Sequence, residues 1–357
     1  MVRLGDVCTK GTSNIAQKDL EGHDGSYPIF GASGFIKYVD FYQQENPYIA
    51  IVKDGAGIGR VMKLPAKSSV IGTMQYIHPG NMVDISYLAY AMEHMNLSKY
   101  FTGATIPHIY FKDYQKELLS VPPLDEQRKI AAVLDKVSDL IAKRRQQLDK
   151  LDTLLQSRFI ELFGEPLHPL HSQPLGNIAI LERGRFSPRP RNDPQYYGGI
   201  YPFIQTGDIA NCGHRLLNYK QTLNHKGTGV SKKFSAGTIV MAIVGATIGA
   251  TAILKIDAYA PDSVIGITVD SNRYNNIFME ILLRFWKPEL LRIAPESARA
   301  NINLAILQTI PIPKVELELQ DQFAAFVEQT EKTKTSINRG LEKLETVKKA
   351  LMQEYFG

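Results

Sequence analysis

Residues 124–164 read LDEQRKIAAVLDKVSDLIAKRRQQLDKLDTLLQSRFIELFG, and residues 317–357 repeat the pattern as LELQDQFAAFVEQTEKTKTSINRGLEKLETVKKALMQEYFG. The two segments align without a gap. Identical residues recur along the whole alignment, among them Gln127 with Gln320, Leu151 with Leu344 and Phe163 with Phe356. Self-similarity of this kind indicates an internal duplication.

Both repeats have the hydrophobic spacing of long helices. Apolar residues follow steps of four and three from Ile130 to Leu155, and the second repeat keeps the same register from Phe323 onward. This is a heptad pattern, and neither repeat contains proline. Each helix would reach roughly 50–60 Å at about 1.5 Å per residue. Three positions in the heptad stripe carry a charge instead: Arg144, Lys334 and Lys348.

An apolar stripe on a single helix has to be covered. Because a whole domain lies between the two repeats, antiparallel pairing within the chain is the favoured arrangement, and the charged stripe positions would then set the register or meet a partner. The alternative is that each helix is buried separately in its own domain.

The segments before the two repeats also resemble each other, although less closely. Leu4-Gly5-Asp6-Val7 resembles Leu175-Gly176-Asn177-Ile178, Tyr27-Pro28-Ile29 resembles Tyr201-Pro202-Phe203, Ile58-Gly59 resembles Ile248-Gly249, and Val70-Ile71-Gly72 resembles Val264-Ile265-Gly266. The spacings drift, as expected for loops of different length on one scaffold.

These patterns predict an α+β fold of two mixed α/β domains joined by two long helices that form an antiparallel coiled coil. Short β-rich runs punctuated by Gly, Pro and Asn, such as 48–52 and 238–244, are followed by helical patterns at 85–95 and 276–286. The predicted segments are a first variable domain (1–123), a central helix (124–164), a second variable domain (165–316) and a C-terminal helix (317–357).

The composition is that of a folded protein, with 44% apolar and 22% charged residues. The net charge of +5 is compatible with a polyanionic partner. No apolar run is long enough to span a bilayer, and the first residues lack the apolar run of a signal peptide, so we expect a cytoplasmic protein with no membrane partner. The two cysteines, Cys8 and Cys212, imply neither a disulfide framework nor a Cys-rich metal site.

Basic and aromatic residues crowd several polar loops, most densely at 183–191. Arg and Lys neutralise phosphates, and Arg also pairs with guanine in the major groove. The stretches 101–110 and 297–304, which precede the two helices, add donors and acceptors suited to phosphates or base edges. The competing interpretation is ordinary surface charges and structural turns. The candidate DNA-binding residues are Lys53, Arg60, Thr105, His108, Tyr110, Arg185, Arg189, Arg191, Lys232, Lys233, Arg299 and Asn301.

No catalytic motif is complete. Residues 53–60 resemble a phosphate-binding loop but lack its Gly-Lys-Ser/Thr ending, so a tight turn between strands is favoured there and at 245–250. Residues 193–196 read DPQY, which lacks the second proline of the Asp-Pro-Pro-Tyr motif of adenine methyltransferases. No His-x-x-x-His pairing indicates a metal site. We therefore predict no catalytic residue, metal or cofactor in this chain.

Along essentially its whole length the chain resembles the specificity subunit of type I restriction-modification systems. The resemblance is carried by Pro122-Pro123-Leu124-Asp125-Glu126-Gln127 before the first helix and by the endings Leu162-Phe163-Gly164 and Tyr355-Phe356-Gly357. The second repeat departs from the pattern, because residues 313–320 read PKVELELQ instead of a Pro-x-x-Glu-Gln start.

The resemblance implies two target-recognition domains that each read half of a bipartite sequence in double-stranded DNA. It implies that the helices set the distance between the half-sites and dock two modification subunits, which methylate adenine with S-adenosylmethionine. A restriction subunit would translocate and cut DNA with ATP and magnesium. Two alternatives remain open: a stand-alone methyltransferase or nuclease, and a coiled-coil scaffold that does not bind DNA.

Overall fold

The computed structural model describes residues 1–102, 107–169, 171–294 and 301–357. Its contacts divide the chain into two compact units. Unit 1 consists of Met1–Gln147 together with Ile337–Gly357, and unit 2 is Leu148–Ser336. Each unit therefore combines one variable domain with a part of each repeat. The four segment bounds predicted from the sequence stay a prediction.

Beside a short pair of strands at Val2–Arg3 and Leu118–Leu119, the described part of unit 1 contains two sheets of three or more strands. One is antiparallel with the order β2-β8-β5-β6, and the other has the order β4-β3-β7 with β3 and β7 parallel. The β-branched run of β5 is buried along its whole length, as its composition predicts. The elements are β1 (Val2–Arg3), α1 (Leu4–Val7), β2 (Cys8–Thr12), β3 (Tyr27–Gly31), β4 (Gly34–Val39), β5 (Tyr48–Val52), β6 (Val61–Leu64), β7 (Ser69–Val70), β8 (Met74–Pro79), α2 (Ile85–His94), α3 (Phe111–Tyr114), β9 (Leu118–Leu119) and the first part of α4 (Leu124–Phe163).

Unit 2 repeats this plan with additions. Its sheets have the orders β11-β19-β16-β17-β13 and β14-β12-β18-β15. The elements are the last part of α4, β10 (Ser172–Pro174), β11 (Ala179–Arg183), β12 (Tyr197–Phe203), α5 (Thr206–Asn211), β13 (Arg215–Leu216), β14 (Gln221–Leu223), α6 (His225–Val230), β15 (Lys232–Phe234), β16 (Ile239–Ala242), β17 (Thr251–Leu254), β18 (Ala258–Ala260), β19 (Val264–Val269), α7 (Asn276–Phe285), α8 (Lys287–Ile293), α9 (Leu304–Gln308), β20 (Pro311–Pro313) and the first part of α10 (Leu317–Phe356).

The two variable domains share one sheet register. Ile49 of β5 lies opposite Ile77 and Lys63, and Ile239 of β16 lies opposite Ile267 and Ile253. Strands β2, β8, β5 and β6 therefore correspond to β11, β19, β16 and β17. The parallel pair recurs too, as β3 with β7 and β12 with β18. The duplication thus extends from the helices to the domains.

One of the loose sequence correspondences is wrong. Val70 lies in β7, where it pairs with Phe30 of β3, and Gly72 lies in the turn after β7. Val264 and Gly266, in contrast, belong to β19. Strand β19 corresponds to β8, which begins at Met74. Short Val-Ile-Gly motifs fit several strand positions, so the motif alone did not fix the alignment.

A buried glutamine joins each long helix to its unit. Gln127 accepts a hydrogen bond from the Asp84 amide at 2.8 Å and donates to the carbonyls of Met82 and Pro122. Its counterpart in the repeat makes the same three bonds: Gln320 accepts from the Asn275 amide and donates to the carbonyls of Arg273 and Val315. Asp84 and Asn275 are the N-caps of α2 and α7. Both glutamines are fully buried.

The long helices pack on each other, antiparallel, within each unit. In unit 1, Leu134 and Met352 share one apolar cluster, and the Arg145 guanidinium lies 2.8 Å from the Glu345 carboxylate. In unit 2, Asp152 pairs with Lys334 at 2.6 Å, while Phe159 and Phe323 have ring centroids 5.5 Å apart. Residue numbers thus rise along α4 while those of the contacting residues on α10 fall, which shows that the two helices are antiparallel. This confirms the predicted fold class, and the alternative of separately buried helices is wrong.

The charged stripe positions find partners inside their own units. Lys334 contacts Asp152 and Glu331, and Lys348 pairs with Glu93 beside the Tyr90 ring. At these two heptad positions, which are ordinarily apolar, the lysine ammonium group reaches an acidic side chain at the edge of the helix pair.

Candidate nucleic-acid interface

Loops from corresponding strands gather at one end of the larger sheet in each unit. In unit 1 this end holds residues 53–60, 72–73 and 107–110, because β5 finishes there and β6 and β8 begin. In unit 2 the same end holds residues 184–191, 243–250, 261–263 and 301–302. We call these two groups of residues the loop edge of unit 1 and the loop edge of unit 2.

The glycine-rich segment of unit 1 is a turn tied down by backbone hydrogen bonds. Gly55 donates to the Pro107 carbonyl at 3.0 Å, and Ile109 donates to the Lys53 carbonyl at 3.0 Å. Gly59 has φ +82°, and a Cβ atom there would lie 2.5 Å from the Ser98 amide nitrogen, so only glycine fits. The prediction of a tight turn between strands is confirmed.

Unit 2 contains the same turn with different side chains. Ile243 donates to the Ser263 carbonyl, and Ile302 donates to the Ile243 carbonyl at 3.0 Å. Gly249, at φ +77°, corresponds to Gly59, since a Cβ atom there would lie 2.9 Å from Cα of Lys287. The scaffold is therefore common to both edges, and what differs is the set of exposed side chains.

Four sequence-predicted residues come together at the loop edge of unit 1. His108 is hydrogen-bonded through Nδ1 to the Asp54 carboxylate and lies against Tyr110, with ring centroids 4.2 Å apart. The Lys53 ammonium lies 3.7 Å from the same carboxylate. Arg60 is exposed, and its guanidinium donates to the Ala32 carbonyl at 2.7 Å. Two cations, a histidine and an aromatic ring thus line one edge, where Lys53 and His108 lie beside Asp54.

The arginine-rich segment of unit 2 folds around Asp262. The guanidinium of Arg191 pairs with one oxygen of this carboxylate, and that of Arg189 lies 3.7 Å from the other. Arg183 donates to the Asp262 backbone carbonyl at 2.6 Å. Arg185 is exposed on the same segment, where its backbone amide donates to the Ala260 carbonyl. The arginine cluster seen in the sequence is therefore a cluster in space.

The remaining candidates are more scattered. Asn301 is exposed and forms a β-bridge with Val244, so it lies at the loop edge of unit 2. Lys232 lies beside Arg185, to whose carbonyl its amide donates, and its ammonium pairs with Glu182 at 2.7 Å. Lys233 pairs with Asp257 at the opposite end of the β15–β18 pair. Thr105 and Arg299 lie outside the described residues.

Sequence inspection overlooked the acidic members of both edges and one aromatic pair. Phe35 and Tyr38 of β4 are 52% and 55% exposed, with ring centroids 4.9 Å apart. Arg60 connects the loop edge to the β3–β4 turn that precedes them, through its bond to Ala32. Two aromatics three residues apart gave a usable signal, because residues at that separation lie on opposite faces of a strand and cannot both face the core side of a half-buried sheet.

A groove with a volume of about 710 Å³ adjoins the arginine segment of unit 2. Its floor includes the buried rings of Phe186 and Phe203, and Arg191, Lys220 and Gln221 stand around it. An aromatic floor with cationic and amide groups at the rim suits an anionic, hydrogen-bonding partner.

One protein-family model matches the sequence of this chain at two places. The model of the type I restriction modification DNA specificity domain matches residues 1–152 and again residues 174–346. The chain belongs to this family. The two matches correspond to the two copies of the duplication, each with a sheet domain and most of a long helix.

Individual members of the specificity-domain family are distant in sequence. The chain is 24% identical over 390 residues to the type I restriction enzyme MjaVIII specificity subunit of Methanocaldococcus jannaschii, covering 99% of this chain and 90% of that one. It is 27% identical to the EcoprrI specificity subunit of Escherichia coli over a stretch that covers 36% of this chain and 31% of that subunit.

Solved structures of this family share the fold. The S subunit of a type I restriction-modification system from M. genitalium superposes with a TM-score of 0.63 at 16% identity, covering all of this chain and 95% of that one. A chain from a structure concerning complex assembly and conformational transition of the type I system gives 0.55 at 15% identity, with 99% and 96% coverage.

In residues 1–102, 107–169, 171–294 and 301–357, no group of three or more His, Cys, Asp or Glu side chains is placed to hold a metal ion. None of the helices in the described part of the chain has the length and apolar character needed to cross a bilayer.

Proposed function

We propose that this chain is the DNA-recognition subunit of a type I restriction-modification enzyme and that each unit reads one half of a bipartite target. The observation that carries the proposal is one scaffold with two different loop edges. Lys53, Arg60, His108 and Tyr110 stand at the edge of unit 1, whereas Arg185, Arg189, Arg191 and Asn301 stand at that of unit 2.

Different side chains on a common scaffold suit two unlike half-sites in double-stranded DNA. Cations at the edges would neutralise phosphates and orient each unit, while a few side chains would contact base edges in the major groove. The loops are anchored by backbone bonds to sheet strands, so side-chain identity there is free to vary without loss of the fold.

The long helices would set the distance between the half-sites and dock two modification subunits. Those partners would methylate adenine using S-adenosylmethionine, and a restriction subunit would translocate and cut DNA using ATP and magnesium. This chain would itself hold no cofactor and catalyse no step. The complex would act on chromosomal and invading DNA in the cytoplasm.

Methylome sequencing of cells that carry this chain with its modification subunits tests the proposal. We expect methylated adenine in both halves of one interrupted motif. Replacement of residues 165–316 by the second domain of another family member should change only one half. A contiguous motif, or a change in both halves, would contradict it.

A purified chain that methylates or cuts DNA without partners would favour an enzyme instead. A chain with neither sequence preference nor a salt-dependent affinity for duplex DNA would favour a scaffold.

A further inference from the structure

Two of the candidate residues at each loop edge lie beside one aspartate. Asp54 contacts Lys53 at 3.7 Å and is hydrogen-bonded to His108. Asp262 pairs with Arg191 and lies 3.7 Å from Arg189. A carboxylate therefore occupies, on each edge, the place beside the cations that a DNA phosphate would take.

The scaffold does not require either carboxylate. Asp54 and Val244 occupy corresponding positions, because they form the same β-bridge with His108 and Asn301 respectively. The Ser263 carbonyl accepts a hydrogen bond from Ile243, just as the Thr73 carbonyl accepts one from Lys53. Ser263 therefore corresponds to Thr73, and Asp262, which precedes Ser263, corresponds to Gly72 of unit 1. Each unit thus builds the same edge without an acid where the other unit has one.

The ion pairs around Asp262 are exposed enough to exchange, whereas those around Asp54 are less exposed, with the side chains of Lys53, Asp54 and His108 at 22%, 26% and 27%. The side chains of Arg189 and Arg191 are 56% and 49% exposed, and that of Asp262 is 36% exposed. Ion pairs at such surfaces contribute little to folding stability, so a phosphate that approaches the guanidinium groups competes with the carboxylate on near-equal terms. The carboxylate that remains nearby repels the phosphate.

We infer that Asp54 and Asp262 act as internal counter-anions: they hold the DNA-contacting cations in position in the free protein and weaken binding to DNA that offers phosphate contacts alone. The inference rests on the proposed function, since it assigns the partner of these cations as DNA. On non-target DNA, where base contacts are lacking, the repulsion is not offset, and the subunit dissociates readily.

The test compares Asp262→Asn with Glu328→Gln in the full-length chain. Glu328 pairs with Arg215 in the same unit at similar exposure, so the control removes an equal charge from another arginine–carboxylate pair. Asp262→Asn should bind a duplex of random sequence about three- to ten-fold more tightly, with a salt slope steeper by about one. Asp262→Glu should restore wild-type binding, and Glu328→Gln should stay close to it.

The same comparison applies to unit 1 with Asp54→Asn, for which Glu345→Gln is the control because it removes one carboxylate from a more exposed ion pair, with Arg145, in that unit. Binding that is unchanged or weaker than that of the controls, in either unit, overturns the inference for that unit. A fall in the unfolding temperature together with weaker binding would assign the aspartate a purely structural role.

A second readout separates this inference from the proposed function. Elution from immobilised heparin measures whether the cations are released, with no need for a DNA target. If Asp262→Asn elutes at higher salt than Glu328→Gln but no variant binds duplex DNA, the counter-anion role of Asp262 is supported and the proposed function is wrong. If heparin elution does not differ, the counter-anion is wrong, whatever the DNA result.

Discussion

At the scale of single residues, a repeated side chain is informative when its bonds repeat as well. Gln127 and Gln320 each satisfy one amide and two carbonyls, through part-buried hydrogen bonds that link the start of a long helix to the N-cap segment of α2 or α7. A buried polar group costs free energy if its partner is lost, so each amide specifies one docking position for its helix.

We expect Gln320→Leu to lower the free energy of unfolding of unit 2 by about 2–4 kcal/mol, because it leaves three part-buried backbone groups without their partner. The only tryptophan, Trp286, lies in unit 2, so its fluorescence during urea denaturation reports on that unit. Gln322→Leu, at an exposed position two residues away, is the control. An equal effect of both variants would show that the bonds of Gln320 do not matter.

The arginine segment leads to a prediction about binding. Replacing Arg185, Arg189 and Arg191 together with Ala should weaken DNA binding and reduce the salt slope by about two to three, because each phosphate contact contributes about 0.9. Arg292→Ala, which removes an exposed arginine paired with Glu289 on α8, should leave the slope unchanged. Unchanged binding by the triple variant would remove this segment from the interface.

At the scale of secondary-structure elements, unit 2 is joined by a chain of ionic groups. His214, just before β13, contacts Glu280 of α7 at 2.8 Å and Glu331 of α10 at 3.3 Å. Lys334 then bridges Glu331 to Asp152 of α4, and Arg284 also pairs with Glu280. Glu280 is fully buried, so its two cationic partners are needed to offset its desolvation.

The pKa values in this chain are shifted by burial and by pairing. Burial lowers the pKa of His214, but the bonds to Glu280 and Glu331 raise it by more, so the net shift is upward from 6.5. Burial raises the pKa of Glu331, but its bonds to His214 and Lys334 lower the pKa by more than burial raises it, so the net value is about 2. Pairing therefore favours the charged form of both groups.

Stability from His214 is full below its ordinary pKa of 6.5 and is lost as pH rises through the higher pKa of the folded state. We expect His214→Gln to destabilise unit 2 by roughly 3 kcal/mol below 6.5 and by less at alkaline pH. Thermal unfolding followed by Trp286 fluorescence over a pH series measures this, with the exposed His225→Gln as the control. A deficit that does not change with pH would contradict it.

At the scale of the whole molecule, the chain crosses between its units along the two helices. The end of α4 packs in unit 2, where Phe163 meets Phe278, and the end of α10 packs in unit 1, where Phe356 meets Tyr87. Each unit therefore holds the start of one long helix and the end of the other. Neither unit is built from the residues of a single repeat alone.

If the helices set the half-site spacing, lengthening both should change the target. Arg144 and Gly340 lie against each other in unit 1, so a heptad inserted after Lys143 and another after Arg339 lengthen the pair at facing positions. Seven residues add about 10 Å, or about three base pairs of DNA, to the spacer. Methylome sequencing measures the new spacing. An unaltered spacer would contradict this role of the helices, and insertion in α4 alone should disrupt their pairing.

Much of the candidate interface could not be predicted from the sequence. The arginine-rich segment was visible because its cations are close in sequence. The partnership of His108 with Asp54, and of Arg189 and Arg191 with Asp262, was not, because each joins loops that only the sheet brings together. The aspartates gave no motif, since a single acid in a polar loop is common.

Local sequence patterns were enough to establish the duplication, the two long helices and the kind of domain that precedes each. Heptad spacing, absence of proline and β-branched runs are local properties that a linear pattern carries. The sharing of α4 and α10 between both units, and the side chains that meet at each loop edge, could be read only from the folded chain. Those contacts depend on strand register and helix packing, which join residues far apart in the chain and leave no periodic trace in it.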